Sequence, residues 1–165
     1  MKLAIIYYSK TGTTEKMAKK IEDGMKLISD VDVRSFSIGS IDEKWVKESN
    51  AVVLGSPTYY ADVAGEMKMF METMGKYELN GKIGGAFATA GYIHGGAEIA
   101  IQSMLTHMMF FGMMVYSGGC ACGNPPIHLG PVFVDGQTYD VVAVFREYGK
   151  RIAQQAVNTF ANDKK

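Results

Sequence analysis

The 165-residue sequence lacks the features that mark several classes of protein. Two cysteines are too few for a disulfide framework. No apolar run approaches the roughly 20 residues that a membrane-spanning helix needs, so no membrane span is expected. The first residues, Met1–Ala4, lead straight into a strand-like segment and show no long apolar run or cleavage site of a signal peptide. A cytoplasmic location is therefore expected.

An excess of charge of one sign is also missing. Seventeen basic residues balance seventeen acidic ones, and the basic residues are dispersed along the chain. Proteins that bind nucleic acid or an anionic membrane surface usually carry a basic patch. The balance of charge therefore predicts that nucleic acid is not a partner.

Several common catalytic and phosphate-binding motifs do not occur. The sequence contains neither Gly-x-x-x-x-Gly-Lys-Ser/Thr nor Gly-x-Ser-x-Gly. The dinucleotide motif Gly-x-Gly-x-x-Gly does not follow the first predicted strand. A phosphate-receiver domain would need acidic residues where Ser9 and Lys10 stand. No catalytic residue is assigned from these patterns.

Apolar segments of strand length alternate with segments of helical periodicity. Strands are predicted at residues 3–8, 31–36, 51–54, 83–88 and 113–116. Residues 131–134 are a candidate continuation of the fifth strand, and a long last helix is predicted over Thr138–Phe160. Such alternation predicts a parallel sheet with helices on both faces, in a single domain over residues 1–165.

Ligands of open parallel sheets bind beyond the carboxyl ends of the strands. Three loops follow strands one, three and four there, at Ser9–Thr14, Pro57–Tyr60 and Thr89–Gly96. In the first loop, Gly12 allows close backbone approach, and the amides of the following helix favour an anion. Taken alone, the residues of this loop fit an ordinary Ser/Thr helix cap as well as they fit an anion site. Its place after the first strand favours a phosphate site.

The three loops, in this order, resemble those of a known family. Residues 7–15, Tyr-Tyr-Ser-Lys-Thr-Gly-Thr-Thr-Glu, resemble the FMN phosphate loop of the flavodoxin superfamily. Residues 55–60 and 89–98 resemble the second and third flavin loops of the WrbA-type NAD(P)H:quinone oxidoreductases. The resemblance implies a flavodoxin-like three-layer α/β sandwich with a five-stranded parallel sheet in the order 2-1-3-4-5. It also implies bound FMN and a homodimer or homotetramer.

By position, the resemblance implies which residues contact FMN. Those expected to hold the phosphate are Ser9, Lys10, Thr11, Gly12, Thr13 and Thr14. Those expected beside the ribityl chain and the ring are Pro57, Thr58, Tyr59 and Tyr60. Those expected at the edge of the ring, or opening the next helix, are Thr89, Ala90, Gly91, Tyr92, Gly95 and Gly96. Aromatic side chains in these loops suit a flat ring system.

The resemblance leaves more than one function open. The first is an FMN-dependent oxidoreductase that passes electrons from NAD(P)H to a quinone-like acceptor. The alternative is a flavodoxin-type electron carrier with a redox protein as its partner, and a third interpretation is a flavin-binding protein without turnover. Carriers are usually acidic, so zero net charge favours the enzyme. Two differences from the quinone reductases are a missing insertion after the second strand and Phe110-Phe111-Gly112 in place of His-His-Gly.

The irregular stretch at residues 117–130 contains Cys120, Cys122 and His128. Two thiols and one imidazole complete neither a tetrahedral zinc site nor a four-cysteine cluster. Two free thiols are therefore favoured over a metal site or a redox pair, and no metal is predicted. His94 and His128 either border the flavin ring or lie in ordinary surface loops.

Overall fold

The computed structural model describes residues 1–137 and 140–161. Within them the strands are β1 (Lys2–Tyr7), β2 (Asp32–Ser37), β3 (Ala51–Tyr59), β4 (Asp62–Val63), β5 (Ile83–Ala90), β6 (Met114–Val115) and β7 (Val132–Val134). The helices are α1 (Thr13–Met25), α2 (Glu43–Glu48), α3 (Gly65–Glu72), α4 (Ala97–Phe110) and α5 (Val141–Phe160). The start predicted for the last helix, Thr138, lies outside the described residues. The helix itself begins at Val141, after Asp140, whose carboxylate accepts a hydrogen bond from the Ala143 N–H at 3.0 Å.

The sheet has seven strands, and the prediction of five strands in the order 2-1-3-4-5 is wrong in its details. The order is β2-β1-β3-β5-β6, with β4 paired to β3 and β7 paired to β5. The two-residue strand β4 forms an antiparallel hairpin with β3 that the sequence pattern does not reveal. Two short strands share the sheet edge beside β5, where a single fifth strand was predicted. Met114 of β6 pairs with Ile83, and Val134 of β7 pairs with Ala90. Residues 117–130 leave the sheet between these two short strands, whereas Tyr116 and Pro131 still form backbone hydrogen bonds with β5.

Both faces of the sheet are covered by helices. Along β1, Ala4 and Ile6 belong to a buried cluster with α2, α3 and α4. Leu3 and Ile5 point to the other face, into a cluster with α1 and α5. Burial on both faces explains why the central strands are continuous apolar runs. The three-layer α/β arrangement predicted from the sequence is confirmed.

Two glycines allow α1 and α5 to pack closely on one face. A Cβ atom on Gly24 would lie 1.8 Å from the carbonyl oxygen of Arg146, and one on Gly149 would lie 2.0 Å from that of Ile21. Both distances are far below van der Waals contact, so any larger residue would push the helices apart. The close contact holds α1, and with it the loop that precedes this helix, against the sheet.

Tyr148 connects α5 to the middle of β5. Its side chain is fully buried, and its hydroxyl oxygen accepts a hydrogen bond from the Ala86 N–H at 2.9 Å. Burial raises the pKa of the Tyr148 phenol well above its usual value, so the group stays neutral.

We expect Tyr148→Phe to lower the free energy of unfolding by about 1–3 kcal/mol, because the buried Ala86 N–H loses its acceptor. Tyr60→Phe is the matched control, since Tyr60 is fully exposed and the change there should stay below about 0.5 kcal/mol. Urea-induced unfolding followed by circular dichroism measures both. An unchanged midpoint for Tyr148→Phe would show that the hydrogen bond does not stabilise the fold.

Candidate functional site

β1 ends level with residues inside its two neighbours, and β3 and β5 run on beyond that level to Tyr59 and Ala90. Tyr7 of β1 pairs with Gly55 of β3, and Gly55 pairs with Phe87 of β5. Gly55 is required here, because a Cβ atom would lie 2.0 Å from the Phe87 ring. The three predicted loops therefore meet at one edge of the sheet, as the rule for parallel sheets predicts.

Two adjoining clefts open between these loops. The first, here called the aromatic cleft, has a volume of ≈ 390 Å³. The predicted residues that line it are Thr58, Tyr59, Tyr60, Ala90, Gly91, Tyr92 and Gly95. The second, here called the helix cleft, has a volume of ≈ 360 Å³. The predicted residues that line it are Thr11, Thr13, Pro57, Thr58, Tyr59, Thr89, Ala90 and Gly91. Shared lining makes the clefts two parts of one groove, of a size typical for small-molecule sites.

The other predicted residues surround the groove without lining it, namely Ser9, Lys10, Gly12, Thr14 and Gly96. Ser9 closes the first loop, because its Oγ accepts a hydrogen bond from the Gly12 N–H at 3.1 Å. Lys10 is exposed and near Glu66. The pKa of the Glu66 carboxyl is lowered by the hydrogen bond from the Tyr8 hydroxyl, at 2.7 Å, and further by the charge of Lys10.

The amino terminus of α1 faces the helix cleft without a side-chain cap. Gly12 precedes the helix with a φ of 93°, and no side chain of the described chain caps it. The Lys16 N–H donates to the Gly12 carbonyl at 2.9 Å. The amides of Thr13, Thr14 and Glu15 therefore have no acceptor within the helix. The interpretation as an ordinary Ser/Thr cap is wrong, and the free amides form the kind of site that binds phosphate.

A buried hydroxyl lies where the two clefts join. Thr58 Oγ1 is inaccessible to water, and no group in the described part of the chain bonds to it. Thr58 lines both clefts. A buried polar atom without a partner is costly. A polar group of a ligand lying along the groove would satisfy it.

The second loop, predicted at Pro57–Tyr60, is part of a tight hairpin between β3 and β4. β3 continues to Tyr59, and Tyr60 and Ala61 form a two-residue turn with φ values of 50° and 64°. Two positive values are typical of a type I′ turn. The hairpin tip packs on the third loop, where a Cβ atom on Gly96 would lie 2.7 Å from the Ala61 Cα. This contact fixes the width of the aromatic cleft.

Sequence reasoning missed four residues that line the helix cleft, namely Lys16, Met17, Phe133 and Asp135. Lys16 lies one helical turn after Thr13, so the i, i+3 spacing was a signal that its cation shares that face of α1. Phe133 and Asp135 come from β7 and the residue after it. Their place beside Thr89 depends on how the divided fifth strand pairs, and no local pattern predicts this.

The histidine and cysteine candidates do not line the groove. Neither His94 nor His128 lines either cleft. His128 instead borders a separate cavity of ≈ 360 Å³. Cys120 and Cys122 are free and exposed. Over residues 1–137 and 140–161, no group of three or more His, Cys, Asp or Glu side chains is arranged to hold a metal ion.

A buried arginine organises the irregular 117–130 segment. Arg151 of α5 is 7 % exposed. Its guanidinium donates to the carbonyl oxygens of Gly118, Gly119, Gly123 and Pro125 at 3.0–3.2 Å. The segment is thus anchored through its backbone. A charged residue inside a helix gave no sequence signal for this role.

Comparisons with known proteins agree with this geometry. A family model described as NADPH-dependent FMN reductase matches residues 43–124. A flavodoxin of Clostridium saccharobutylicum is 41% identical over 160 residues, which cover 97% of this chain and 100% of the relative. An NAD(P)H dehydrogenase (quinone) of Geotalea daltonii is 31% identical over 145 residues, which cover 70% of each protein. The solved structure of a WrbA-like flavodoxin from Agrobacterium tumefaciens has a TM-score of 0.80 at 19% identity, with 95% of this chain and 98% of that chain covered. At this identity, the match shows the fold.

The sheet is doubly wound, and an uncapped helix terminus lies beside an aromatic cleft at its carboxyl edge. This arrangement is typical of proteins that bind a mononucleotide. The chain belongs to the flavodoxin superfamily, as its three loops predicted. Membership makes the chain an FMN-binding protein. The residues present fit this cofactor, because the free amides of α1 suit a phosphate and the unpartnered Thr58 hydroxyl suits a polar group beside it.

We expect Thr11→Asp to weaken FMN binding about tenfold or more, because a carboxylate lining the helix cleft repels the phosphate. The control is Thr106→Asp, which adds the same charge at an exposed threonine of α4 that lines neither cleft. Titration of the apoprotein with FMN, followed by quenching of flavin fluorescence, gives both dissociation constants. Equal constants would show that the phosphate lies elsewhere.

Gly96→Ala should destabilise the protein by about 1–3 kcal/mol, because alanine is strained at a positive φ. Its φ is 87°, and the added methyl group would also displace the hairpin tip at Ala61. Gly39→Ala is the control, since nothing lies within 4 Å of a Cβ atom there. Thermal unfolding of the two variants tests the contact, and equal melting temperatures would contradict it.

Proposed function

We propose that this protein is an FMN-dependent oxidoreductase that passes electrons from NAD(P)H to a quinone-like acceptor. The observation that carries the proposal is the lining of the aromatic cleft, which consists of threonine, tyrosine, alanine and glycine and includes no charged side chain. Tyr60 is fully exposed and Tyr92 is 82 % exposed at its border. Such a surface suits a flat, uncharged ring system better than a charged partner.

FMN, when bound, supplies the chemistry of accepting an electron pair from a nicotinamide and releasing it to an acceptor. The chain's own contribution is to position the reactants. The amides of α1 hold the phosphate end, and the tyrosines of the second and third loops border the ring end. Placing two planar molecules in contact accounts for the catalysis, so no acid–base residue is assigned.

Helix termini add an electrostatic contribution at the ring end. α4 begins after Gly96, which has a φ of 87° and receives no side-chain cap from the described chain. Gly95, which immediately precedes it, lines the aromatic cleft. The positive end of the α4 dipole therefore favours negative charge in this cleft. A ligand that gains electrons there is stabilised without a titrating side chain.

Relatives of the chain support both this proposal and an alternative. A protein named NAD(P)H dehydrogenase (quinone) is 31% identical to it. A protein named flavodoxin is 41% identical and is matched over its full length. The second candidate is therefore an electron carrier, whose redox protein partner would dock on the exposed rim formed by Tyr60, Tyr92 and Ile93.

Anaerobic reduction separates the two candidates. The FMN-loaded protein is mixed with NADH or NADPH, and benzoquinone is then added while the flavin absorbance is recorded. If the protein is the proposed enzyme, the flavin absorbance should fall rapidly with at least one nicotinamide and return when the quinone is added. If dithionite bleaches the flavin but neither nicotinamide does, the result contradicts the proposed enzyme and favours the carrier. A nicotinamide-reduced protein that benzoquinone fails to reoxidise would contradict the proposed acceptor.

Two expectations from the sequence stay predictions, namely a homodimer or homotetramer and a cytoplasmic location. In the parts of the chain that the structure describes, every helix is too short or too polar to cross a membrane.

A further inference from the structure

The two cysteines of the 117–130 segment take no part in the groove. Cys120 and Cys122 are the first and last residues of a short 3₁₀ turn, and both are free and exposed. Neither of them borders the groove or the His128 cavity. The sequence favours two free thiols at these positions, and the structure shows what surrounds each sulfur atom.

The two sulfur atoms differ in their hydrogen bonds. Cys122 Sγ lies 3.6 Å from the hydroxyl oxygen of Tyr116. Cys120 Sγ lies 3.5 Å from the carbonyl oxygen of Ile127, which can only accept, so the Cys120 thiol donates there and keeps its hydrogen. Burial, and then the hydrogen bond with Cys122, raises the pKa of Tyr116 to about 12. The phenol therefore stays protonated near neutral pH and can donate to Cys122.

This difference distinguishes the two thiols chemically. The reactive form of a cysteine is the thiolate, and hydrogen bonds to a charged acceptor are stronger than those to a neutral one. The Tyr116 hydroxyl is such a donor for a thiolate at Cys122. At Cys120 the nearest partner is a carbonyl oxygen, which supports only the protonated thiol. Cys122 is therefore the sulfur atom whose surroundings suit attack on an oxidant.

Arg151 holds the backbone on both sides of the turn. Two of the carbonyl oxygens that accept from its guanidinium precede the turn and two follow it, namely those of Gly118, Gly119, Gly123 and Pro125. The flanks of the turn are therefore fixed to α5, whereas both cysteines remain exposed. This anchoring keeps the two thiols close together.

The length of the turn suits a disulfide. Consecutive Cα atoms are about 3.8 Å apart, so two Cα atoms separated by one residue in a tight turn are about 5–6 Å apart. Disulfides span Cα separations of about 4.4–6.8 Å. Because the two side chains contact different partners, closing the bond requires both to turn. A Cβ atom on Gly119 would lie 3.2 Å from Cys122 Sγ, so glycine at this position keeps the space beside that sulfur open.

We propose that Cys120 and Cys122 form a redox-active dithiol site whose oxidant is a small hydroperoxide. Cys122 reacts first, because the Tyr116 hydroxyl donates to its sulfur, and Cys120 then closes the disulfide. A small oxidant suits the site, because both cysteines are exposed and border neither the groove nor the His128 cavity. The inference does not rest on FMN or on the proposed electron donor and acceptor, so failure of the reduction experiment would leave it intact.

The oxidation takes place in two balanced steps. The Cys122 thiolate attacks one oxygen of hydrogen peroxide, the O–O bond breaks, and the other oxygen leaves as hydroxide and takes up a proton to become water. Cys122 is thereby oxidised by two electrons to a sulfenic acid. The Cys120 sulfur then attacks the Cys122 sulfur, the S–O bond breaks, and the hydroxyl group leaves as water with the proton of Cys120. A reducing dithiol converts the resulting disulfide back to two thiols.

The test uses the FMN-loaded protein, reduced and then freed of reductant. One equivalent of hydrogen peroxide should lower the mass of the peptide that contains both cysteines by two hydrogen atoms, and dithiothreitol should restore it. Cys120→Ser should instead hold a sulfenic acid at Cys122 that dimedone traps. Cys122→Ser should be trapped at least about threefold more slowly, because the remaining thiol has no such donor. Equal trapping rates, or an unchanged peptide mass in the wild-type protein, would overturn the proposal.

The role of Tyr116 is tested in the same two backgrounds. Tyr116→Phe should slow dimedone trapping in Cys120→Ser about three- to tenfold, because Cys122 loses its donor. Tyr60→Phe is the matched control, since Tyr60 is fully exposed and its change should leave the rate within about twofold. In Cys122→Ser, Tyr116→Phe should leave alkylation of Cys120 by iodoacetamide within about twofold. Equal slowing of both thiols would contradict the assigned role, since Tyr116 would then act on the shape of the segment.

Melting temperatures identify any variant that fails to fold. Cys120→Ala or Cys122→Ala then replaces the serine variant, with the same difference in trapping rate expected.

Discussion

The parallel pairing of β1, β3 and β5 is the constraint on which the rest of the structure depends. Helices cover both faces of these strands, so their side chains cannot reach a ligand along most of their length. Only the carboxyl edge is open, and Tyr7, Gly55 and Phe87 lie there at one level. The loops that follow β1, β3 and β5 are therefore brought to the same groove. The close packing of α1 on α5 then fixes the direction of the first helix.

This constraint explains why a large part of the site could be predicted from the sequence. Apolar runs such as 3–8 and 83–88 locate buried parallel strands, and the carboxyl-end rule brings the loops after them together without any tertiary information. The hairpin at Tyr60-Ala61 escaped prediction because a type I′ turn is usually signalled by Asn-Gly or Asp-Gly. The division of the fifth strand into β6 and β7 was not predicted. The two strands are far apart in sequence, and they share one sheet edge only because both pair with β5.

Charged residues are the other group whose roles the sequence could not reveal. Lys16 and Arg151 both belong to amphipathic helices, where a cation ordinarily indicates a solvated face. Lys16 lines the helix cleft, whereas Arg151 is buried among backbone carbonyl groups of a distant loop. The difference depends on which segment packs over each side chain. Such long-range packing cannot be predicted from the periodicity of apolar residues along the helix.

The two clefts of the groove differ in the chemistry of the residues that line them. The helix cleft offers hydroxyls and one lysine beside the free amides of α1, and such groups suit a phosphate whatever reaction the rest of the ligand undergoes. The aromatic cleft has no charged lining, and Tyr60 and Tyr92 are exposed at its border. The proposed phosphate site therefore does not distinguish an enzyme from a carrier, whereas the proposed ring site does, because a second reactant or a partner protein would have to approach there. The Thr14–Thr89 hydrogen bond links the phosphate loop to the loop that borders the ring. This bond ties the position of the α1 amino terminus to that of the end of β5.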